Sequence, residues 1–165
     1  MEIVNVRIDE RLIHGQVAAV WTRYLNATRI MVIDDFAFED KLTKMALKMA
    51  VPANVNLSVL SCTKASERLK ESDPYPNERI FIIVKGPETL AKLLDLGINF
   101  KEINVGNISK KDDSIQIKQS ISVTKNEIIA FEKIAKTESN LVSQMVPDEE
   151  KIDFIQLLKK ANFSE

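Results

Sequence analysis

Val6-Arg7-Ile8-Asp9-Glu10-Arg11-Leu12-Ile13-His14-Gly15-Gln16-Val17 joins a strand pattern to a helix pattern across one short turn. Ahead of it, Ile3, Val4, Val6 and Ile8 bring a strand to its carboxyl end. Behind it, from about Gly15, Val17, Val20, Trp21 and Tyr24 recur at helical spacing and predict one apolar face, with Asn26 and Ala27 closing the helix. The single histidine of the chain, His14, falls in the turn between them. The first amides of a helix have no backbone partners and carry partial positive charge, so they attract an anion. Gly15 has no side chain to hold an anion away from those amides. Arg11 adds a planar, permanently charged fork suited to phosphate oxygens, and Gln16 adds a polar side chain. Asp9 is placed to hold one imidazole nitrogen, fixing the tautomer and leaving the other nitrogen free to react.

A plainer reading of the same residues stays open. A histidine before a helix caps it, a glycine relieves a tight turn, and Asp9 with Arg11 makes a surface ion pair of little worth. The crowding of Asp, Arg, His and Gln at the carboxyl end of a strand favours the anion site, because open α/β sheets bind their ligands there.

Outward from this turn, Arg29–Ile33 and Ile80–Val84 are nearly continuous apolar runs, the pattern of strands buried on both faces. Val55–Leu60 and Glu102–Asn107 read as further strands, with a weaker helix through Ala65, Leu69 and Lys70 between Val55–Leu60 and Ile80–Val84. Phe38, Leu42, Met45, Ala46 and Met49 predict one amphipathic helix closed by Val51-Pro52, with Met45 and Met49 as core filler. Pro87 suits a first helical position ahead of Leu90, Leu93 and Leu94, and Gly97 suits a carboxyl cap. Ser114–Ile117 follows Glu102–Asn107 after a turn too short for a crossover helix, which predicts that those two strands are antiparallel neighbours. Thr124 and Glu127 have capping-box spacing ahead of Ile128, Phe131 and Ile134. Leu141–Val146 is read as the last strand, with Pro147-Asp148 opening a terminal helix through Ile152, Ile155 and Leu158. Strands alternating with helices predict an α/β fold, an open, mostly parallel β-sheet with helices on both faces and one antiparallel strand.

The 165 residues suit one domain spanning 1–165, and 45% hydrophobic with 28% charged residues is ordinary for a soluble globular protein. A net charge of −1 argues against nucleic acid as a partner. No apolar run has the length of a membrane span, the first residues enter a strand rather than a signal peptide, and one cysteine, Cys62, makes no internal disulfide; these predict a cytoplasmic protein. One histidine and one cysteine do not supply a zinc site built from those ligands, so no metal is expected. Glycine fingerprints of dinucleotide and nucleoside-triphosphate sites are missing. Asp34-Asp35 end a strand on the same edge as His14, where they can orient a cation or a lysine, or else solvate the strand end and cap the next helix. Lys85, at the matching end of another strand, is placed either to offset charge on a group held at His14 or simply in solvent.

Arg7 through Val17 resembles the active-site segment of the IIB subunits of the mannose/fructose/sorbose family of the bacterial sugar phosphotransferase system. The strand ending Ile33-Asp34-Asp35, the segment from Gly97 through Ile103-Asn104-Val105-Gly106-Asn107, and Gln144-Met145-Val146-Pro147 agree with that family in order and spacing. The resemblance implies an open, mostly parallel sheet, a phosphohistidine at His14 and a phosphoryl-holding role for Arg11. It implies a IIA phosphoryl donor, the IIC and IID membrane subunits and a sugar substrate as partners, with peripheral association at the membrane. The only intermediate it implies is the covalent phosphohistidine, with no separate cofactor. A second copy of the chain is a further admissible partner. Lys85-Gly86-Pro87 and Ile108-Ser109 depart from the residues common in the family. The rival expectation is a non-enzymatic module that holds phosphate or a sugar phosphate at the same helix end without a covalent role for His14.

Overall fold

Alternation of side chains along buried strands builds two cores in this protein, one on each face of a single twisted sheet. The computed structural model describes residues 1–162. In chain order the elements are β1 (Glu2–Asp9), α1 (Gly15–Leu25), β2 (Arg29–Ile33), α2 (Asp35–Glu39), α3 (Lys41–Ala50), β3 (Asn56–Leu60), α4 (Cys62–Lys70) and β4 (Arg79–Val84). They continue with α5 (Pro87–Asp95), β5 (Glu102–Asn107), β6 (Ile115–Lys118), β7 (Ile121–Val123), α6 (Lys125–Ala135), β8 (Asn140–Ser143), β9 (Ile152–Asp153) and α7 (Phe154–Asn162).

The main sheet has the order β3-β2-β4-β1-β5-β8-β9, and every pairing in it is parallel except β8 with β9. Ile30 and Val32 point with Phe81 and Ile83 into a core closed by Ala18 and Trp21 of α1, Ala37 of α2 and Leu47 of α3. Their strand neighbours Met31, Ile33, Ile80, Ile82 and Val84 point the other way, against Ala65, Leu90, Leu93, Phe131 and Phe154 of α4 to α7. Phe131 and Phe154 pack with ring centroids 4.6 Å apart, joining α6 to α7. α1 packs on one face of the sheet and α6 on the other, and β1, between β4 and β5, stays paired with β5 to its end, where Asp9 lies opposite Asn107 and the turn toward α1 begins.

Local signals were followed closely where a backbone requirement enforced them. Thr124 and Glu127 form the reciprocal capping box. Gly97 takes φ +85°, and Ile98 N–H returns to the Leu93 carbonyl at 2.9 Å, the closing bond of a left-handed cap. Asn26 ends α1 with φ 50°.

Several expectations are corrected. Ser114–Ile117 is not a neighbour of β5: Ile115–Lys118 pairs antiparallel with Ile121–Val123 in a separate two-stranded sheet, because a tight return is satisfied locally. The antiparallel strand of the main sheet is instead β9, formed by residues expected inside the terminal helix. That helix starts at Phe154, after Pro147-Asp148 has made a turn, and β8 stops at Ser143 so that Gln144–Val146 leave the sheet. The helix expected through Phe38 and Met49 is broken at Asp40, whose extended backbone and carboxylate, accepting from Thr43 N–H at 3.0 Å, begin a new helix. Leu47 alone of α3 is buried, whereas Met45 and Met49 are 60% and 82% exposed and fill no core. In α1 the buried row runs through Ala18, Trp21 and Thr22, leaving Val20 and Tyr24 outside.

Cys62 lies buried at the start of α4, and burial, with Asp35 nearby, pushes its thiol up to about 11. Because the thiolate is the reacting form, a thiol reagent at pH 8 should label folded Cys62 about 100-fold more slowly than an unperturbed cysteine. The rate should climb about tenfold per pH unit until the fold yields, as followed by the absorbance of a released thiol dye.

Candidate functional site

The turn after β1 is fixed from beneath and left open above. Leu12 and Ile13 are buried among the α1-side core residues, and Leu12 accepts a left-handed backbone, φ 58°, to reach it. A branched residue adopts that conformation only where its surroundings hold it, and the buried side chains supply the hold. The turn is closed by Asp9, whose carbonyl accepts from Leu12 N–H at 2.9 Å and whose carboxylate accepts from Arg11 N–H at 3.1 Å. His14, Gly15 and Gln16 follow on the exposed side.

His14 is the N-cap of α1 in extended conformation and spends no side-chain hydrogen bond on capping. The helix closes with Ala18 N–H donating to the His14 carbonyl at 3.2 Å, which leaves the N–H groups of Gly15, Gln16 and Val17 without acceptors inside the helix. Gly15 has φ +37°, and a methyl added there would meet no atom within 4 Å. Glycine is therefore favoured here by the backbone conformation and not by crowding.

Beneath the turn, Arg7 and Asp9 are on one side of β1 because they are two residues apart. Both are buried, at 1% and 2% exposure. The Arg7 Nε and Nη2 groups donate to Asp9 Oδ2 at 3.4 and 3.3 Å. Arg11 Nε donates to Oδ1 and Nη2 to Oδ2, both at 3.1 Å. One buried carboxylate thus sits between two guanidinium groups, and Arg11 is the partly exposed one. Burial draws the Arg7 guanidinium below its ordinary pKa, with Asp9 opposing that shift. The Arg7 group also donates through Nη1 to the Gln144 carbonyl at 3.0 Å and lies 5.3 Å from the centre of the Trp21 ring. Trp21 Nε1 donates to the Met145 carbonyl at 3.0 Å, so the segment after β8 is fastened under the same turn.

The structure assigns Asp9 differently from the sequence reading. Its oxygens are occupied by Arg7, Arg11 and the Arg11 amide, and among the described residues none hydrogen-bonds the His14 ring. His14 and Asp9 border one small cleft with Leu12, Val17 and Trp21. Asp34 caps α2 by accepting from Ala37 N–H at 2.9 Å. Asp35 does orient a lysine, but it is Lys92 of α5, at 2.6 Å, and the second oxygen takes Cys62 N–H at 2.8 Å. Lys92 and the Cys62 amide together hold the Asp35 carboxyl below its ordinary value. Lys85 is exposed on the site edge, beside a groove shared with Glu10, Asp34 and Lys111.

Arg7, Glu10 and Gly106 received no role from the sequence. The signal for Arg7 was available: an arginine alternating with apolar residues in a central strand, two positions before an aspartate, needs a buried partner. Glu10 accepts from Ser109 N–H at 2.6 Å, with Lys111 at 3.5 Å, and ties the turn to the β5–β6 connection. Partial burial would raise its carboxyl, but the Ser109 bond and Lys111 outweigh that and hold it low.

Residues 3–165 match the family model described as "PTS system sorbose subfamily IIB component". The chain is 31% identical to the fructose-specific EIIB component of Bacillus subtilis, covering 96% of this chain and 97% of that one. It is also 31% identical to the mannose-specific EIIAB component of Escherichia coli, spanning 97% of this chain and 49% of the longer protein. Among solved structures, the IIBSor domain of the sorbose permease from Klebsiella pneumoniae superposes with a TM-score of 0.89 at 27% identity, over 97% of this chain and 98% of that one.

Asp9→Asn keeps the shape of the buried carboxylate but leaves Arg7 and Arg11 without their shared counter-charge. Removing one partner of a buried ion pair costs about 3 kcal/mol or more. Urea unfolding followed through Trp21 fluorescence should show a loss of that size.

Proposed function

This chain belongs to the IIB components of the mannose/fructose/sorbose family of the phosphotransferase system, whose general work is phosphoryl transfer, and from that premise we propose that His14 is the residue that carries the phosphoryl group. The observation that carries the reading is the placement of the only histidine, exposed at the N-cap of α1, on the turn that holds Arg11. A neutral ring nitrogen of His14 attacks phosphorus in line with the histidine nitrogen of a phosphorylated IIA donor; the old P–N bond breaks as the new one forms. Arg11 and the N–H groups of Gly15 and Gln16 stabilise the equatorial oxygens, and Gln16 adds its side-chain amide. Asp9 contributes by aiming Arg11 rather than by touching the ring.

In the second half-reaction a hydroxyl of a sugar held by the IIC and IID membrane subunits attacks the same phosphorus. The P–N bond to His14 breaks, a P–O bond forms, and the hydroxyl proton is released. One P–N bond is exchanged for another in the first step, so no nucleotide is consumed by this chain. The protein then meets its IIA donor and its membrane partners in turn, acting as one phosphotransferase domain beside the membrane. No helix among the described residues is long and apolar enough to cross it. Lys85, exposed on the same edge, faces an approaching partner, while Asp35 is engaged with Lys92 and stays out of the chemistry.

Two substitutions test the reading. On incubation with phosphoenolpyruvate, the general phosphotransferase proteins and a IIA partner, the wild-type chain should gain the mass of one phosphoryl group. His14→Ala should gain none while its stability stays within about 0.5 kcal/mol, since truncating an exposed side chain opens no cavity. Full phosphorylation of that variant elsewhere would refute the assignment. Arg11→Lys keeps the charge but loses the two-pronged contact, and single-turnover transfer from phosphorylated IIA should slow by about 10- to 100-fold, the worth of one charged hydrogen bond. An unchanged rate would place Arg11 outside the phosphoryl site.

A further inference from the structure

Arg7 is fully buried, so it cannot meet a phosphoryl group carried on the exposed turn, yet it is the most heavily engaged cation beneath that turn. Its guanidinium binds Asp9 through Nε and Nη2, the Gln144 carbonyl through Nη1 and the Met145 sulfur through Nη2 at 3.8 Å, and it lies over Trp21. The strand beside it makes room in a specific way. The register of β1 against β5 slips between Ile8 and Asp9, so that Asp9 pairs with Asn107 and Gly106 is left opposite the Arg7 side chain. A methyl on Gly106 would collide with the Arg7 guanidinium carbon and both of its terminal nitrogens. The bulge and the glycine thus form a slot that the guanidinium fills.

We propose that Arg7 is a positioning residue for phosphoryl transfer: seated in the Gly106 slot and anchored on Gln144, it fixes the Asp9 carboxylate, which in turn aims Arg11. This deepens the phosphoryl-carrier reading and rests on it. Asp9 alone could rotate about its side-chain bonds and carry Arg11 with it. With two nitrogens of Arg7 on Oδ2, that oxygen is held by a guanidinium which the Gly106 slot itself confines, and Arg11 meets the carboxylate with Nε on Oδ1 and Nη2 on Oδ2. Arg7 also offsets the negative charge of Asp9, so that Arg7, Asp9 and Arg11 together carry a net single positive charge, available at the exposed end.

The test uses Arg7→Lys, which keeps the charge and loses the fork, and Gly106→Ala, which keeps every charge and evicts the guanidinium. Potassium phosphoramidate serves as the phosphoryl donor: its P–N bond breaks, ammonia leaves, and the phosphoryl group passes to the His14 ring, followed by phosphorus NMR. Both variants should lower the saturating rate about 10- to 100-fold, the cost of an ångström-scale misplacement. In an Arg11→Lys background, Arg7→Lys should cost less than about twofold more, because its effect passes through Arg11. Nitrogen-15 NMR should show the Nε–H of Arg11 protected from solvent exchange in the wild type and exchanging freely in both variants. Free exchange in the wild type would overturn the proposal without any variant having to fold. So would wild-type rates in folded Arg7→Lys, or costs that multiply fully in the double variant. Should phosphoramidate leave wild-type His14 unmodified, the carrier reading fails, and the exchange measurements still decide whether Arg7 aims Arg11.

Discussion

A carboxylate buried between two arginines is the constraint on which this structure is arranged. Taking Asp9 and Arg7 out of water costs several kcal/mol for each ion, and the expense is offset only if the charges are matched and their remaining hydrogen-bonding groups are used. That requirement reaches well beyond β1. It draws the Gln144 carbonyl under the turn, sets Trp21 of α1 against the guanidinium, and excludes a side chain at position 106. Three separate stretches of sequence, around residues 9, 106 and 144, are thereby gathered around one charge cluster. The exposed end of that cluster is Arg11, on the same turn as His14.

The topology explains why the cluster lies where it does. β1 is central, flanked by β4 and β5, so an arginine pointing from it enters the core beneath α1 rather than solvent. The helix leaving β1 and the helix ahead of β8 cover opposite faces, and the turn projects from the carboxyl edge of the sheet. Glu10 braces the turn on its far side through Ser109 and Lys111. A strained Leu12 and the slipped register at Gly106 are two local departures from regular geometry in this fold, and they lie on either side of the same turn.

Most of the architecture was legible because its signals are local. Apolar runs such as Ile80–Val84, the Thr124 capping box and the Gly97 cap are each decided by a few neighbouring residues, and each formed as expected. The reading went astray where competing local choices were close in energy or where burial decided. Asp40 interrupts a helical pattern because its carboxylate caps as readily as its backbone propagates. Met45 and Met49 share a helix with Leu47, and sequence spacing cannot tell which row will meet the sheet. At the site, His14, Gly15 and Arg11 were visible as residue types suited to an anion. Asp9 was visible, and its pairing with Arg11 stood among the alternatives; its hold on the His14 ring did not form, since strand alternation also puts the buried Arg7 on the same side of β1 and the two guanidinium groups take its oxygens. Gly106 and Gln144 stand in stretches that agree with the family pattern, but their contact with Arg7 is visible only once the strands are laid side by side.

Leu12 and Ile13 have a consequence for encounter. Because these two apolar side chains are already inserted in the core, the turn that bears His14 has surrendered its conformational freedom during folding rather than at docking. A partner that approaches His14 therefore meets a surface that requires little ordering, and the entropy that a loose loop would forfeit on association does not weaken the complex. For the phosphoryl carrier proposed above, which would engage one macromolecule, release it and engage another, such rigidity lets both encounters be brief without being imprecise. Short-lived complexes and accurate alignment are usually in tension; here the hydrophobic core reconciles them.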